Sequence, residues 1–240
     1  MPELLRLESV HTHIAQYHIL QGVDLMVPEG GVSVILGRNG AGKTTTLRTI
    51  MGLWGASTGT VTFDGTDITK LDTPAIARLG IAYVPENMGI FTDLTVRENM
   101  VLAATDGPMD SARLDWIFNL FPPLKTFWDM PAGNLSGGQK QMLSVARAVI
   151  EPRRLILVDE PTKGLAPAII KSMTAALAEL AKTDTTILLV EQNFSMAKCL
   201  GQTVSVMDDG RIVHSGLMAE LAADSALQEK LMGLSLEAHQ

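Results

Sequence analysis

Apolar positions along the chain change period twice, and the changes divide it into three regimes. Leu4 to Val10 and Ile19 to Val27 alternate imperfectly and read as strands, the second closed by the turn Pro28-Glu29-Gly30-Gly31. Val32 to Leu36 is an almost unbroken apolar run and predicts a buried strand, with Thr45 to Ile50 opening a helix after it. Gly59 to Gly65 is a further strand bounded by glycines. With so few helical signals between them, the glycine-bounded strand and the first two predict an antiparallel lobe beside the main sheet. Pro74 to Leu79 reads as a short helix and Ile81 to Val84 as a buried strand ending at Pro85.

From Thr95 to about Glu151 the period becomes helical, with Asp110 to Leu120 and Gln139 to Ile150 the clearest helices. Met142, Leu143, Ala146, Val149 and Ile150 fall on one face of the second. Phe121-Pro122-Pro123 and Asp129 to Asn134 are breaks. Of Trp116, Phe118, Phe121, Phe127 and Trp128, most are expected in the core. The last regime alternates strand and helix: Leu155–Val158, Pro167–Ala181, Thr186–Val190, Phe194–Leu200 and Thr203–Met207. Its strands are continuous apolar runs, as in a parallel sheet covered on both faces. Asp208-Asp209-Gly210-Arg211 is a hairpin-like turn, and two short helices and a polar tail follow. The expected organisation is one unit over 1–240, with a helical subdomain inserted at about 92–150 and C-terminal helices and tail over 217–240.

Composition narrows the function. A net charge of −7 and a pI near 5.2 lack the basic footprint of a nucleic-acid binder. Cys199 is the single cysteine, so no internal disulfide forms and a reducing compartment is expected. No apolar run approaches the roughly 18 residues that span a bilayer, and Met1 to Arg6 lacks the apolar core of a secretory signal.

Gly37-Arg38-Asn39-Gly40-Ala41-Gly42-Lys43-Thr44 fits G-x-x-x-x-G-K-[ST] between a strand and a helix. A loop so placed aims backbone N–H groups and a helix N-terminus at one phosphate-sized spot. Its glycines admit close backbone approach, Lys43 reaches the β- and γ-phosphates, and the Thr44 hydroxyl suits Mg²⁺. Thr45 continues the nucleotide-binding stretch. Leu155 to Val158 ends in Asp159-Glu160, two carboxylates at the sheet's carboxyl edge. There Asp159 is placed for the metal's hydration shell and Glu160 for the attacking water. Leu135-Ser136-Gly137-Gly138-Gln139 opens a helix and is the third phosphate-friendly segment.

Gly37–Thr44, Leu135–Gln139 and Leu155–Glu160, in that order, resemble the ATP-binding subunits of ABC transporters, from about Leu4 to Gly216. Tyr83 to Asn87, Pro161 to Pro167, Leu189 to Asn193 and Leu94 to Asn99 narrow the resemblance to the branched-chain amino acid importers and related amide and urea importers. It implies a P-loop NTPase cassette: a RecA-like, mainly parallel α/β core with an antiparallel β lobe and a helical subdomain. By the same resemblance Lys43 binds phosphate, Thr44 and Asp159 organise Mg²⁺, and Glu160 is the general base. Leu135, Ser136, Gly137, Gly138 and Gln139 would contact ATP held by a second ATP-binding subunit, in a homodimer or heterodimer. A groove near Glu86 to Phe91 would receive integral membrane permease subunits, placing the chain peripherally on the cytoplasmic face of the bacterial inner membrane.

Four positions depart from the family pattern. Glu86 stands where most members have a Gln that touches Mg²⁺ and water, and Gln192 where most have a His at the γ-phosphate. Ala166 replaces an Asp. Ile14 stands where an aromatic stacks on adenine, with Tyr17 or His13 as substitutes. The resulting expectation is an ATP- and Mg²⁺-dependent ATPase that energises an importer. The alternatives are a nucleotide-gated interaction subunit with weak hydrolysis, which the four departures motivate, and the ATPase of an exporter. A DNA- or ribosome-directed ATPase is disfavoured, for the chain has neither tandem cassettes nor long coiled coils. No Asn-Lys-x-Asp motif marks a GTPase.

Overall fold

The first regime runs, in chain order, β1 (Glu3–Ile14), β2 (Tyr17–Pro28), β3 (Val32–Leu36), α1 (Lys43–Ile50), β4 (Thr58–Phe63), β5 (Thr66–Asp67), α2 (Thr73–Arg78) and β6 (Ile81–Val84). These elements belong to a computed structural model that describes residues 2–105 and 107–232. β1 and β2 form an antiparallel hairpin turning at Ala15-Gln16, with Ala15 at a φ of 52°. Both strands outrun the stretches that alternation marked. Register shifts between Leu7 and Val10 and again to His13 put the burial out of phase, so pairing continues where the two-residue pattern fades. The hairpin joins β4 and β5 in a sheet ordered β2-β1-β4-β5, which is the expected antiparallel lobe.

The middle regime contains α3 (Val96–Ala103), α4 (Ser111–Leu120), α5 (Pro122–Thr126) and α6 (Gly137–Ala148). Asp110 caps α4, accepting from the Arg113 N–H, so the helix starts one residue later than expected. Phe121-Pro122-Pro123 does break α4, yet Pro122 at once opens α5, a position where its missing N–H costs nothing. The helix expected over Gln139–Ile150 instead starts at Gly137. Ser136 is its N-cap, and the box it forms with Gln139 pulls the two glycines into the first turn. Of the five aromatics, Phe121 is fully buried, while Trp116, Phe118, Phe127 and Trp128 are half-buried against the core.

The last regime runs β7 (Leu155–Asp159), α7 (Pro167–Leu180), β8 (Thr186–Glu191), α8 (Phe194–Leu200), β9 (Thr203–Asp208), β10 (Arg211–Leu217), α9 (Met218–Ala223) and α10 (Ser225–Met232). The expected polar tail at 233–240 lies outside the described residues. The second sheet is ordered β10-β9-β3-β8-β7-β6, parallel except for the β9–β10 hairpin. Every residue of β3, β7 and β8 is buried. The reason is that the sheet separates two cores. Val34, Leu36, Ile156, Val158 and Leu189 point into a core shared with α3, α6, α7 and α8. Their neighbours Ile35, Leu155, Leu157 and Leu188 point into one shared with α1 and the antiparallel sheet. A continuous apolar run is two alternating faces, each with its own core. Because β3 lies beside β8 and β8 beside β7, the loops after those three strands meet at one sheet edge.

Candidate functional site

The loop after β3 is shaped by its glycines. Gly40 and Gly42 sit at φ of 83° and 105°, in the left-handed region that favours glycine. A Cβ on Gly37 would lie 2.3 Å from the Met207 carbonyl oxygen, so the backbone here is packed too tightly for a side chain. The N–H groups of Gly40 and Gly42 make no hydrogen bond among the described residues. Orphan N–H donors around a glycine-lined turn at a helix N-terminus form an anion cradle, and a phosphate fits it.

Lys43, almost fully buried, donates to the Gly37 and Arg38 carbonyls at 2.8 and 3.0 Å. It also lies 3.2 Å from Glu160 Oε1. Thr44 Oγ1 donates to Asp159 Oδ1 at 3.0 Å, which joins the phosphate loop to the end of β7. A buried carboxylate beside a hydroxyl at the cradle's rim is a hard-oxygen donor pair of the kind Mg²⁺ takes. Among the described residues no group of three or more His, Cys, Asp or Glu side chains is placed to hold a metal unaided.

Burial pushes the Asp159 carboxyl above its ordinary range, against the pull of hydrogen bonds from Tyr83 and Thr44. Burial also acts to raise the neighbouring Glu160, but there the Gln192 hydrogen bond and the Lys43 and Lys163 charges prevail and hold it low. Glu160 is thereby kept ionised and acceptor-ready. It adopts a φ of 45°, a conformation that an ordinary side chain avoids. Gln192 Nε2 donates to Glu160 Oε1 at 2.7 Å and to Asn39 Oδ1 at 2.5 Å, bridging the loops after β7 and β3. Glu86 is exposed and pairs with Lys163 at 2.6 Å, and Lys163 in turn lies 3.4 Å from Glu160.

Lys43, Thr44, Glu86, Glu160 and Lys163 line one open cavity of about 290 Å³, while Asp159 and Gln192 are not in its wall and join it through Thr44 and Glu160. Its walls also include Asn39, Gly40, Gly42 and Thr45. Gly37 and Arg38 supply carbonyls to Lys43, and Ala41 is buried behind the loop. A larger cleft of about 630 Å³, bordered by Met26, Val204 and Leu217, lies between the two sheets and touches none of these residues. Chemistry rather than volume marks the site.

Ile14 and Tyr17 face each other across the hairpin end, and Tyr17 is 62% exposed. Neither lines the cavity; Ile19, two residues beyond Tyr17, does. Leu135–Gln139 does not line it either. Ser136 Oγ instead accepts from the Gln139 N–H at 3.3 Å, and Gln139 Oε1 accepts from the Ser136 N–H at 2.9 Å. Beside the segment Glu86 to Phe91, a shallow groove is walled by Met88, Gly89, Ser144 and Arg147, with Phe91 exposed under the Arg147 guanidinium.

The motif reading missed three residues that the structure places among these groups. Lys163 joins the two acids, and Ile19 walls the cavity. Tyr83, whose hydroxyl donates to Asp159 Oδ2 at 3.0 Å, is the third, and burial beside that carboxylate raises its own pKa. Nothing local in Tyr83 to Asn87 ties a tyrosine on β6 to an acid on β7.

The ABC transporter family matches residues 20–163. The chain is 34% identical over 232 residues to the high-affinity branched-chain amino acid transport ATP-binding protein BraG of Pseudomonas aeruginosa, covering 96% of this chain and all of that one. It is 33% identical to the probable branched-chain amino acid transport ATP-binding protein LivF of Archaeoglobus fulgidus, over 96% and 99% of the two chains. In three dimensions it resembles MJ1267, an ATP-binding cassette of an ABC transporter solved in its ADP conformation. That likeness has a TM-score of 0.81 at 26% identity and covers 98% and 100% of the two chains. A match over more than half its length, on the loops that build the cavity, makes this chain a member of the ABC transporter family of ATPases, whose members hydrolyse ATP to power transport.

Proposed function

We propose that the chain is the ATP-hydrolysing subunit of an importer for branched-chain amino acids or related amides, working on MgATP in the cavity after β3. The observation that carries this reading is the convergence of Lys43, Thr44, Asp159, Glu160 and Gln192 on one sheet edge. Lys43 exchanges its loop carbonyls for phosphate oxygens and holds the β- and γ-phosphates. Thr44 and Asp159 hold Mg²⁺, with Glu86 the further oxygen at the rim. Mg²⁺, when bound, neutralises charge on the phosphates. Glu160 orients the attacking water and takes its proton. Gln192 fixes the Glu160 carboxylate and offers its amide N–H to the γ-phosphate region, without the charge a histidine would bring.

Leu135–Gln139 is the part of the site given to a second ATP-binding subunit, which accounts for its absence from the cavity wall. The groove by Met88, Gly89 and Phe91 is the docking face for integral membrane permease subunits. No helix among the described residues is long and apolar enough to cross a membrane. The chain is therefore proposed to be held peripherally at the cytoplasmic face by that docking. The transported class rests on the names of the BraG and LivF relatives, because an ATPase subunit does not touch the solute.

The test is phosphate release by the chain co-purified with its membrane partners, with and without solute. Glu160→Gln is expected to keep MgATP binding, accumulate as an ATP-locked dimer and lose turnover by about a hundredfold or more, the scale of a general base. Unchanged turnover in Glu160→Gln removes the base assignment. Wild-type release no faster than spontaneous hydrolysis of ATP would favour a nucleotide-gated subunit instead.

A further inference from the structure

Glu191, the last residue of β8, is 2% exposed and has no part in the roles proposed above. Its carboxylate accepts on both sides. Oε1 takes the Thr162 hydroxyl at 2.7 Å and the Thr162 N–H at 3.3 Å. Oε2 takes the N–H groups of Gln192 and Asn193, each at 3.1 Å. Thr162 lies two residues past Glu160, and Gln192 directly follows Glu191. With Gln192 Nε2 bonded to Glu160 Oε1, a ring closes from Glu160 through Thr162, Glu191 and Gln192 back to Glu160.

That ring encloses the strained residue. A side-chain-bearing residue at a φ of 45° persists only where its surroundings over-determine it. The Glu160 N–H is held by the Val190 carbonyl at 2.9 Å, and the chain beyond it is held by Thr162 on Glu191. The side chain at 191 has to be a carboxylate. Four donors converge on it, and an amide has a single acceptor oxygen, so Gln would set its NH₂ against two of them. A buried acid is costly unless fully bonded, and here each oxygen receives two donors.

We propose that Glu191 is a positioning residue for hydrolysis: by gripping Thr162 and the Gln192 backbone together, it sets the Glu160–Gln192 pair in register with the phosphate loop. The proposal rests on the reading of Glu160 as the base.

The test uses Glu191→Gln, Thr162→Val and Thr162→Ser in the full chain, with two readouts. One is the side-chain amide resonance of Gln192 in the nucleotide-free protein, assigned by its loss in Gln192→Ala. The other is kcat and KM for MgATP in the complex with the membrane partners. Glu191→Gln is expected to move the resonance and lower kcat by about ten- to a hundredfold, the scale of a small misplacement of reacting groups, with KM little changed. Thr162→Val should do the same to a lesser degree, and Thr162→Ser should restore both readouts. An unmoved resonance, a kcat loss matched by weaker nucleotide binding, or a failure of Thr162→Ser to rescue would overturn the proposal. If Glu191→Gln does not fold, the Thr162 pair decides alone. Since the resonance needs no turnover, failure of the bracket and failure of the base assignment are read separately.

Discussion

Lys43 Nζ lies 3.2 Å from Glu160 Oε1, and both side chains are almost wholly buried. The residue assigned to phosphate and the residue assigned to water thus neutralise each other before nucleotide arrives. On the proposed reading, phosphate entry would redirect Lys43 from the Gly37 and Arg38 carbonyls and leave Glu160 to Gln192 and Lys163.

Lys43→Ala is expected to weaken MgATP binding by at least about tenfold, a loss of about 1.4 kcal/mol, in isothermal titration calorimetry of the purified chain. Binding within twofold of wild type would mean that the loop N–H groups hold the phosphates unaided.

Tyr83→Phe removes one donor from Asp159 and leaves Oδ2 of a buried carboxylate short of a partner. Folding stability should fall by about 1–3 kcal/mol, read by urea denaturation. The Mg²⁺ concentration for half-maximal turnover should shift as Asp159 loses its orientation. A stability change with no shift in Mg²⁺ dependence would make Tyr83 a purely structural partner.

Ser136 separates a capping role from a phosphate role. Ser136→Asp keeps an N-cap acceptor for the Gln139 N–H and places negative charge at a helix N-terminus, both favourable to α6. Its melting temperature should match or exceed that of wild type, while ATP-dependent dimerisation, followed by light scattering with Glu160→Gln as background, should be lost. Ser136→Ala should cost about 1 kcal/mol of stability. Dimerisation preserved in Ser136→Asp would free this segment from contact with nucleotide.

At the base end the cavity wall is Ile19, so Ile19→Tyr is expected to tighten ATP binding by about two- to tenfold, from the 0.5–1.5 kcal/mol of an aromatic contact, and Ile14→Tyr to leave it unchanged. Tyr17→Ala should leave binding unchanged, because Tyr17 points to solvent. A marked loss in Tyr17→Ala would place the base against Tyr17.

Much of this site is legible locally. The cradle is written in consecutive residues, since glycines, a lysine and a helix start are all that a phosphate loop needs. The acidic pair is written at the end of a continuous apolar strand. Helix starts were less legible, since capping is a side-chain event: Ser136 and Gln139 moved the start of α6 by two residues. The hairpin was underestimated because register shifts in β1 hide its period. The family resemblance puts Ile14 and Tyr17 at the base, whereas the residue on the cavity wall is Ile19.

The sequence by itself determined the strands, the phosphate cradle and the acid pair, because each is made by neighbours in the chain and dictated by short-range sterics and hydrogen bonding. Only the tertiary structure decided which of them meet. Thr44 reaches Asp159 across 115 residues, and Gln192 reaches Asn39 across 153. Both contacts exist because β8 is seated between β3 and β7. That order is settled by how two cores are filled on the two faces of one sheet, a global packing requirement that no window of the chain contains. For the same reason Glu191, one residue past the strand expected over Thr186–Val190, becomes the point where the loops of Glu160 and Gln192 are tied together.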